Sequence, residues 1–254
     1  MRARVLGMGL WMPGFPDAQS WLSGRGVAGA DTPNAQSKQR RRSSLLVNMV
    51  ADVAAQASAE AGVPLSRLRV VVGSAFGELT TLVEMLEERE RDGLLSPLRF
   101  QNSVHNSAAG QLSIASKNKT PAMSLAAGND TVAMVLLEAL TLLALGGDEV
   151  LAIVADEPLP QSIRPGLVTP AVSAALVLAP DDDDAPRARA VLEDLRQAQS
   201  PATVDRPQEV DGPCLAILPL ISALGHGRDG RVKVSPAEDP RWSIMVRGPG
   251  GVGA

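Results

Sequence analysis

The sequence is poor in the side chains from which many functional sites are built. Its 254 residues include one cysteine, two histidines, three phenylalanines, three tryptophans and no tyrosine. The single cysteine, Cys214, excludes an intrachain disulfide and a multi-cysteine metal site, and two histidines leave too few ligands for a zinc or haem centre. Aromatic cages and base-stacking surfaces are also disfavoured. We therefore predict neither a metal nor a cofactor.

Charge and hydropathy exclude two further classes of protein. Lys and Arg number 24 against 28 Asp and Glu, so the formal net charge is −4 and the chain lacks an overall basic footprint for nucleic acid. The apolar stretch behind the N-terminus is broken at Pro13 and Pro16, which is unlike a secretory signal. The most apolar window, residues 132–145, is shorter than the roughly 20 residues that span a bilayer. These features predict a soluble, cytoplasmic protein with no membrane span and no nucleic-acid partner.

Hydrophobic periodicity alternates between strand and helix along most of the chain. Compact apolar runs predict strands at residues 4–10, 69–73, 122–127, 149–155 and 173–178. Apolar residues at helical spacing predict helices that begin near Ser44, Leu79, Asn106 and Val132. Further expectations are a loop over 12–42, strand or helix over 187–195, a short helix over 215–224, and a hairpin from 231–234 and 243–246. The alternation indicates an α/β fold with a mostly parallel central sheet flanked by helices.

One junction between a predicted strand and a predicted helix is of the kind that holds nucleophiles. The apolar run 122–127, predicted to be buried, turns at Gly128-Asn129-Asp130 into the helix near Val132. A helix N-terminus stabilises an anion and lowers the pKa of a thiol placed there. Here the junction reads Ala126-Ala127-Gly128-Asn129, which offers neither a thiol nor a hydroxyl.

Five segments in order resemble the N-terminal half of β-ketoacyl synthases, which have a thiolase-like layered fold. They are RVLGMG at 4–9, VVVGSAFG at 70–77, NSAAGQLS at 106–113, PAMSLAAG at 121–128 and GDEV at 147–150. The resemblance covers roughly residues 1–180, and it places Gly128 where the family has its nucleophilic cysteine. The family's later His-Gly-Thr-Gly-Thr segment, its lysine and its second histidine have no counterpart here. This combination, with the phrase SVHN at 103–106, resembles the short branch called chain length factors.

The resemblance implies a non-catalytic subunit. Such proteins form a heterodimer with a full-length β-ketoacyl synthase in type II polyketide, aryl polyene or fatty acid biosynthesis, and they have no activity alone. The strand 122–127 would pair with its equivalent in the partner. Residues near it would wall the acyl channel or the interface; the candidates are Phe100, His105, Asn106, Met123, Ser124, Gly128 and Met134. Residues 181–254 would form a C-terminal extension, a short helix and hairpin, that packs on the ketosynthase-like domain 1–180.

The basic residues before the first long helix have two readings of equal weight. One possibility is that Arg40, Arg41 and Arg42 dock an acidic acyl carrier protein. The other is that they are solvated residues that simply precede the helix.

Two other functions stay open at this point. One is a stand-alone acyltransferase or thioester hydrolase that uses His105 with a nearby serine; the candidates are Ser103, Ser107 and Ser124. The other is a homodimeric structural remnant. Against the enzyme, a hydrogen-bonding structural role is favoured for His105 and a packed hydroxyl for Ser124.

Other polar residues have simpler expected roles. Asn106 is expected to cap a helix, and Asp156 and Glu157 are expected at a solvated strand end. The acidic run 181–184 lacks the spacing of a calcium loop, and Cys214 is expected to be a buried, inert thiol.

Overall fold

One eight-stranded sheet organises the molecule. The structure is a computed structural model, and it describes residues 1–34, 43–166, 168–181, 188–198, 212–236 and 241–248. The strands in chain order are β1 Arg2–Trp11, β2 Arg69–Gly73, β3 Ala122–Leu125, β4 Val150–Asp156, β5 Val172–Pro180, β6 Ala190–Gln197, β7 Gly230–Lys233 and β8 Trp242–Arg247. Their order across the sheet is β3-β2-β4-β5-β1-β6-β8-β7.

Helices cover both faces of this sheet. They are α1 Ala18–Leu22, α2 Leu45–Ala61, α3 Leu79–Asp92, α4 Pro97–Asn102, α5 Ser107–Ala115, α6 Thr131–Ala144 and α7 Leu218–Gly225, with a short 3₁₀ helix at Pro213–Ile217 just before α7. Buried apolar residues of α2 and α5 pack on one face of the sheet. Those of α6, the 3₁₀ helix and α7 pack on the other. The α/β layered fold is therefore as predicted.

The strand directions differ from the prediction of a mostly parallel sheet. Of the seven strand pairings in the described part of the chain, β2 with β3 and β2 with β4 are parallel, and the other five are antiparallel. A parallel return needs a long crossover, usually a helix. The described residues between β4 and β5 contain no helix, so β5 returns antiparallel to β4. The sheet is mixed, and that part of the prediction is wrong.

Two glycines bring α2 directly onto β1. A Cβ on Gly7 would lie 2.4 Å from the Ala57 carbonyl oxygen, and one on Gly9 would lie 2.4 Å from the Val53 carbonyl oxygen. A side chain at either position would therefore overlap the helix backbone. These glycines set the depth at which α2 lies on the centre of the sheet.

Most of the predicted elements are confirmed, including α2 with its Ser44 cap, α3, α5, α6 and the terminal hairpin of β7 and β8. The region 187–195, open between strand and helix, forms a strand from Ala190 onward, β6, which extends to Gln197. The predicted loop 12–42 contains α1, which has a capping box at Asp17. The stretch after α3 contains α4, which was not predicted.

The segment predicted as a C-terminal extension adds to the same sheet. Strand β6 pairs with β1, and β8 and β7 extend the sheet beyond it. The division of the chain at residue 180 stays a prediction. Within the described residues, no helix combines the length and apolarity needed to cross a membrane.

Candidate functional site

The predicted nucleophile position lies in a tight turn between β3 and α6. Gly128 begins a single 3₁₀ turn and has φ +52°, in the left-handed region. The Thr131 hydroxyl accepts a hydrogen bond from the Ala127 N–H (3.1 Å) and donates one to the Gly128 carbonyl (2.7 Å). These bonds hold the turn in the shape of an elbow that presents residue 128 at the start of α6.

The elbow has space for a side chain that the sequence does not supply. Apart from Gly128 itself and its two chain neighbours, no described heavy atom lies within 4 Å of the position that a Cβ on Gly128 would occupy. Left-handed φ is strained for residues other than glycine and is typical of functional turns. Residue 128, which the resemblance assigns to the nucleophile, therefore carries no reactive side chain.

Strand β3, which leads into the elbow, is the edge of the sheet. It pairs with β2 alone among the described strands. Ala122 and Met123 are exposed, and Met123 keeps 41% of its surface. The prediction of a buried strand over 122–127 is therefore wrong in length, since β3 ends at Leu125. It is also wrong in burial, because no described residue covers the outer edge of the strand.

Ser124 occupies a different environment from Met123 on the same strand. Its hydroxyl oxygen is buried and has no hydrogen-bond partner in the described part of the structure. A base within hydrogen-bond reach is what would activate a serine, and the structure places none beside it. Ser124 is a packed hydroxyl.

His105 is held by the backbone of the β2–α3 loop. Its Nε2 lies 3.2 Å from the Ser74 carbonyl oxygen, to which it donates, and its ring lies against Gly77, where a Cβ would come within 2.8 Å of Cδ2. The Ser103 hydroxyl donates to a carbonyl, and the Ser107 hydroxyl accepts from Gln111. In the described structure no serine hydroxyl bonds to His105, so the geometry offers no serine–histidine pair.

The remaining channel candidates lie in three different settings. Phe100 on α4 is 58% exposed, whereas Met134 on α6 is partly buried against the core. Asn106 stands at the cap position of α5, but its side chain makes no capping hydrogen bond. These residues therefore differ in burial and in local structure. Arg40, Arg41 and Arg42 lie outside the described residues.

A buried carboxyl group, Asp156, joins three segments at the end of β4. Its Oδ1 accepts hydrogen bonds from the Ser74 hydroxyl (2.9 Å) and the Ala75 N–H (2.8 Å), and its Oδ2 accepts from the Cys214 N–H (3.2 Å). Burial raises the pKa of Asp156, and hydrogen bonds from Cys214 and Ser74 oppose that rise. Asp156 thus fastens the β2–α3 loop and the 3₁₀ helix at 213–217 to the central sheet.

Two further buried carboxyl groups lie at the N-terminus of α2. Glu157 accepts from the Leu46 N–H (2.6 Å), and Glu78 accepts from the hydroxyls of Ser44 (2.7 Å) and Thr81 (3.0 Å). Burial raises the pKa of Glu78 to about 7, and repulsion from Glu157 adds to the rise against those hydroxyl donors. The expectation of a solvated strand end at 156–157 is wrong, since both residues are buried.

The one thiol of the chain is inaccessible. Cys214 is fully buried, and burial with the adjacent Asp156 raises its pKa well above the ordinary value. A thiol that stays protonated is a poor nucleophile, so the predicted inert thiol is confirmed. Among the described residues, no three His, Cys, Asp or Glu side chains are arranged to hold a metal ion.

Comparison with known proteins identifies a family and a fold. The family model described as "Beta-ketoacyl synthase, N-terminal domain" matches residues 18–223. No curated protein matches the sequence.

Solved structures resemble the chain over most of its length. A ketosynthase (ApeO) in complex with its chain length factor (ApeC) from Xenorhabdus doucetiae matches with a TM-score of 0.71 and 20% identity, over 97% of this chain and 99% of that chain. The ishigamide ketosynthase/chain length factor matches with 0.64 and 14%, over 78% and 67%. A type II PKS acyl-carrier protein in complex with its ketosynthase, AntDE:AntF, matches with 0.65 and 14%, over 78% and 69%. At identities this low, the structural similarity establishes the fold alone. The predicted ketosynthase fold is confirmed.

Proposed function

The chain belongs to the β-ketoacyl synthase N-terminal domain family, and from this premise we propose that it is a non-catalytic chain length factor. It forms a heterodimer with a full-length β-ketoacyl synthase, and that partner supplies the cysteine and histidines for condensation. The pair extends acyl chains carried by an acyl carrier protein in type II polyketide, aryl polyene or fatty acid biosynthesis. This subunit shapes the channel in which the chain grows.

The elbow at Gly128 is the observation that supports this proposal most strongly. The resemblance assigns the family's nucleophile to residue 128, at the turn before α6, and the glycine at that position carries no reactive group. The one thiol of the chain, Cys214, is buried beside a carboxyl group, and burial and that group both raise its pKa well above the ordinary value. A fold of this family that cannot form an acyl-enzyme is suited to assist a partner that does.

The exposed edge of β3 supports a role in dimer formation. The Val70 N–H donates to the Pro121 carbonyl and the Ser74 N–H to the Leu125 carbonyl. Because groups alternate along a strand, the backbone N–H groups of Ala122 and Ser124 face outward. An open edge of this kind is a template for another strand and a liability when uncovered. Exposed Met123, and Ile114 on the adjoining α5, add apolar surface beside it.

Chain length is set, in this proposal, by bulky side chains near that interface. Phe100 and Met123 are the exposed large apolar residues of the predicted channel set, and a side chain that fills the end of a channel excludes a longer product. Arg40, Arg41 and Arg42 would attract the acidic carrier protein.

The proposal is tested by assembly with the ketosynthase encoded beside this chain. Co-expression followed by light scattering is expected to give a stable one-to-one complex. Met123→Asp is expected to weaken that complex at least about tenfold, because a buried charge without a partner costs more than about 1–3 kcal/mol. Leu145→Asp is the matched control, since Leu145 is 78% exposed at the far end of α6.

Two results would contradict the proposal. The first is that the chain forms a monomer or homodimer and does not bind the ketosynthase at micromolar concentration. The second is hydrolysis or transfer of an acyl thioester by the chain alone, lost on His105→Ala, which would support an independent enzyme instead.

A further inference from the structure

The sheet has a second open edge, at β7, opposite to β3. Strand β7 pairs with β8 and with no other described strand. The Val234 N–H donates to the Trp242 carbonyl (3.0 Å), in register with the pairing of Val232 and Ile244. Since hydrogen-bonded and non-hydrogen-bonded pairs alternate in an antiparallel ladder, the backbone groups of Arg231 and Lys233 face away from β8.

A cleft runs between this edge and α7. Its volume is about 440 Å³, and it is lined by Pro219, Ser222 and Ala223 of α7 and by residues 228–233. Pro219 and Ser222 stand three residues apart and so share one face of the helix. A strand edge beside a helix is the arrangement in which an extended peptide adds to a sheet, with main-chain hydrogen bonds on one side and small pockets on the other.

The cleft is positively charged although the chain as a whole is negative. Three of its lining residues are cations, Arg228, Arg231 and Lys233, and one is an acid, Asp229, whose Oδ1 accepts from the Gly248 N–H. Arg231 pairs with Asp194 on β6. Arg228 and Lys233 make no ion pair with any described residue and are exposed. Two cations are therefore available to an acidic ligand.

We propose that the cleft between β7 and α7 docks an extended acidic segment of a protein partner by strand addition. A second copy of this chain would set Arg231 and Lys233 against like charges, which destabilises a strand pair, whereas carboxylates alternating along a strand would face them favourably. Seven strand spacings of about 4.8 Å separate β7 from β3, or about 34 Å. The site is therefore remote from a partner at β3, and the inference does not depend on the proposed function.

The probe is an eight-residue peptide that alternates Glu with Val or Thr, and its control has Lys in place of Glu. Titrated into the full ¹⁵N-labelled chain, the acidic peptide is expected to shift the amide signals of Arg231 and Lys233. Its affinity is expected to fall at least about tenfold between about 0.05 and about 0.5 M salt, because screening weakens exposed charge pairs. The basic peptide is expected to leave these signals in place.

Variants separate the contribution of the backbone from that of charge. Lys233→Pro removes an outward N–H and a charge, Lys233→Ala removes the charge alone, and Arg228→Glu reverses a charge. Binding is expected to weaken most in Lys233→Pro, at least about threefold beyond Lys233→Ala, in line with a lost hydrogen bond. Lys119→Glu, near the opposite edge of the sheet, is the matched control and is expected to bind normally.

Three results would overturn the inference. They are equal binding of both peptides, signal shifts at Ala122 and Ser124 on β3 in place of β7, and no binding of the acidic peptide at millimolar concentration. In the last case Arg231 and Lys233 serve to protect the edge from pairing. If Lys233→Pro fails to fold, the comparison of Lys233→Ala and Arg228→Glu with the unmodified chain decides the question.

Discussion

At the scale of single residues, a central feature of the molecule is the burial of three carboxyl groups. Asp156, Glu157 and Glu78 are buried carboxyl groups, and each accepts hydrogen bonds from segments distant in sequence. Their burial was not predictable from the sequence, because it depends on α2 and the 3₁₀ helix at 213–217 folding over the end of β4. Gly128 is the opposite case, since the missing thiol at the elbow is visible directly in the sequence.

Glu78 is expected to make stability depend on pH. Its pKa is raised to about 7 in the folded protein from an ordinary value of 4.5, so the folded state binds the proton more tightly than the unfolded state. The stabilisation is therefore complete below about pH 4.5 and is lost as the pH rises through 7. The free energy of unfolding, measured with urea between pH 5 and 8, is expected to fall by about 2–3 kcal/mol at about 1.4 kcal/mol per pKa unit.

Glu78→Gln is expected to flatten that dependence, because glutamine resembles the protonated acid. Glu87→Gln, on the exposed side of α3, is the control and is expected to keep the slope. A slope unchanged in Glu78→Gln would show that another group titrates.

A thiol introduced at the elbow is expected to be reactive while the native one is not. In Gly128→Cys the side chain enters open space at the N-terminus of α6, where the helix dipole favours the thiolate. Mass spectrometry after treatment with iodoacetamide is expected to show one modification, at position 128. The left-handed φ is expected to lower stability by about 1–2 kcal/mol. Alkylation of Cys214 in the folded, unmodified chain would contradict the burial described above.

At the scale of secondary structure, long periodic elements were predictable and short or edge elements were not. The helix α2 has a serine cap, a regular apolar face and a terminal glycine in the left-handed region, so every local signal agrees. Helices α1 and α4 have 5 and 6 residues, too few for periodicity to distinguish them from loop. Strand β3 is apolar because it lies beside α5 and at an open edge of the sheet. Its apolar composition alone predicted burial, and that prediction was wrong. The antiparallel pairing of β4 with β5 follows from the link between them, which has no helix among its described residues. Hydrophobic periodicity does not predict the direction in which a strand returns.

The contact of α2 with β1 is expected to be sensitive to one methyl group. Gly7→Ala places a Cβ within 2.4 Å of the Ala57 carbonyl oxygen, so the helix must shift, with an expected loss of about 1–3 kcal/mol in the free energy of unfolding. Gly110→Ala is the matched control: no described atom lies near its Cβ position on the helix α5. That change is expected to stabilise by about 0.5–1 kcal/mol, since glycine weakens a helix. Equal effects in urea unfolding would contradict the close packing.

The whole molecule depends on its C-terminal third for its core. Leu220, Ile221 and Leu224 of α7 and Ile244 of β8 belong to the same buried cluster as α6 and β1. Strand β6 forms one of the two neighbours of β1. A boundary at residue 180, which the family resemblance suggests, would therefore divide a continuous core.

A fragment of residues 1–180 is expected not to fold independently. Without the later residues, one face of the sheet loses α7 and β1 loses its β6 neighbour, so buried apolar surface becomes exposed. Circular dichroism and dye binding are expected to show a loosely packed, aggregation-prone state, whereas the full chain unfolds cooperatively. A cooperative unfolding transition of the fragment would show that residues 1–180 are an autonomous domain.

The central position of β1 also has a consequence during synthesis. Strand β1 leaves the ribosome well before its two neighbours, β5 and β6: Ala3 pairs with Pro180 on one side and with Leu192 on the other. At about 5–20 residues per second the delay is about 10–35 s, during which this ten-residue strand has no native strand partner. Slowing translation between β1 and β5 is therefore expected to lengthen this exposure and to increase misfolding.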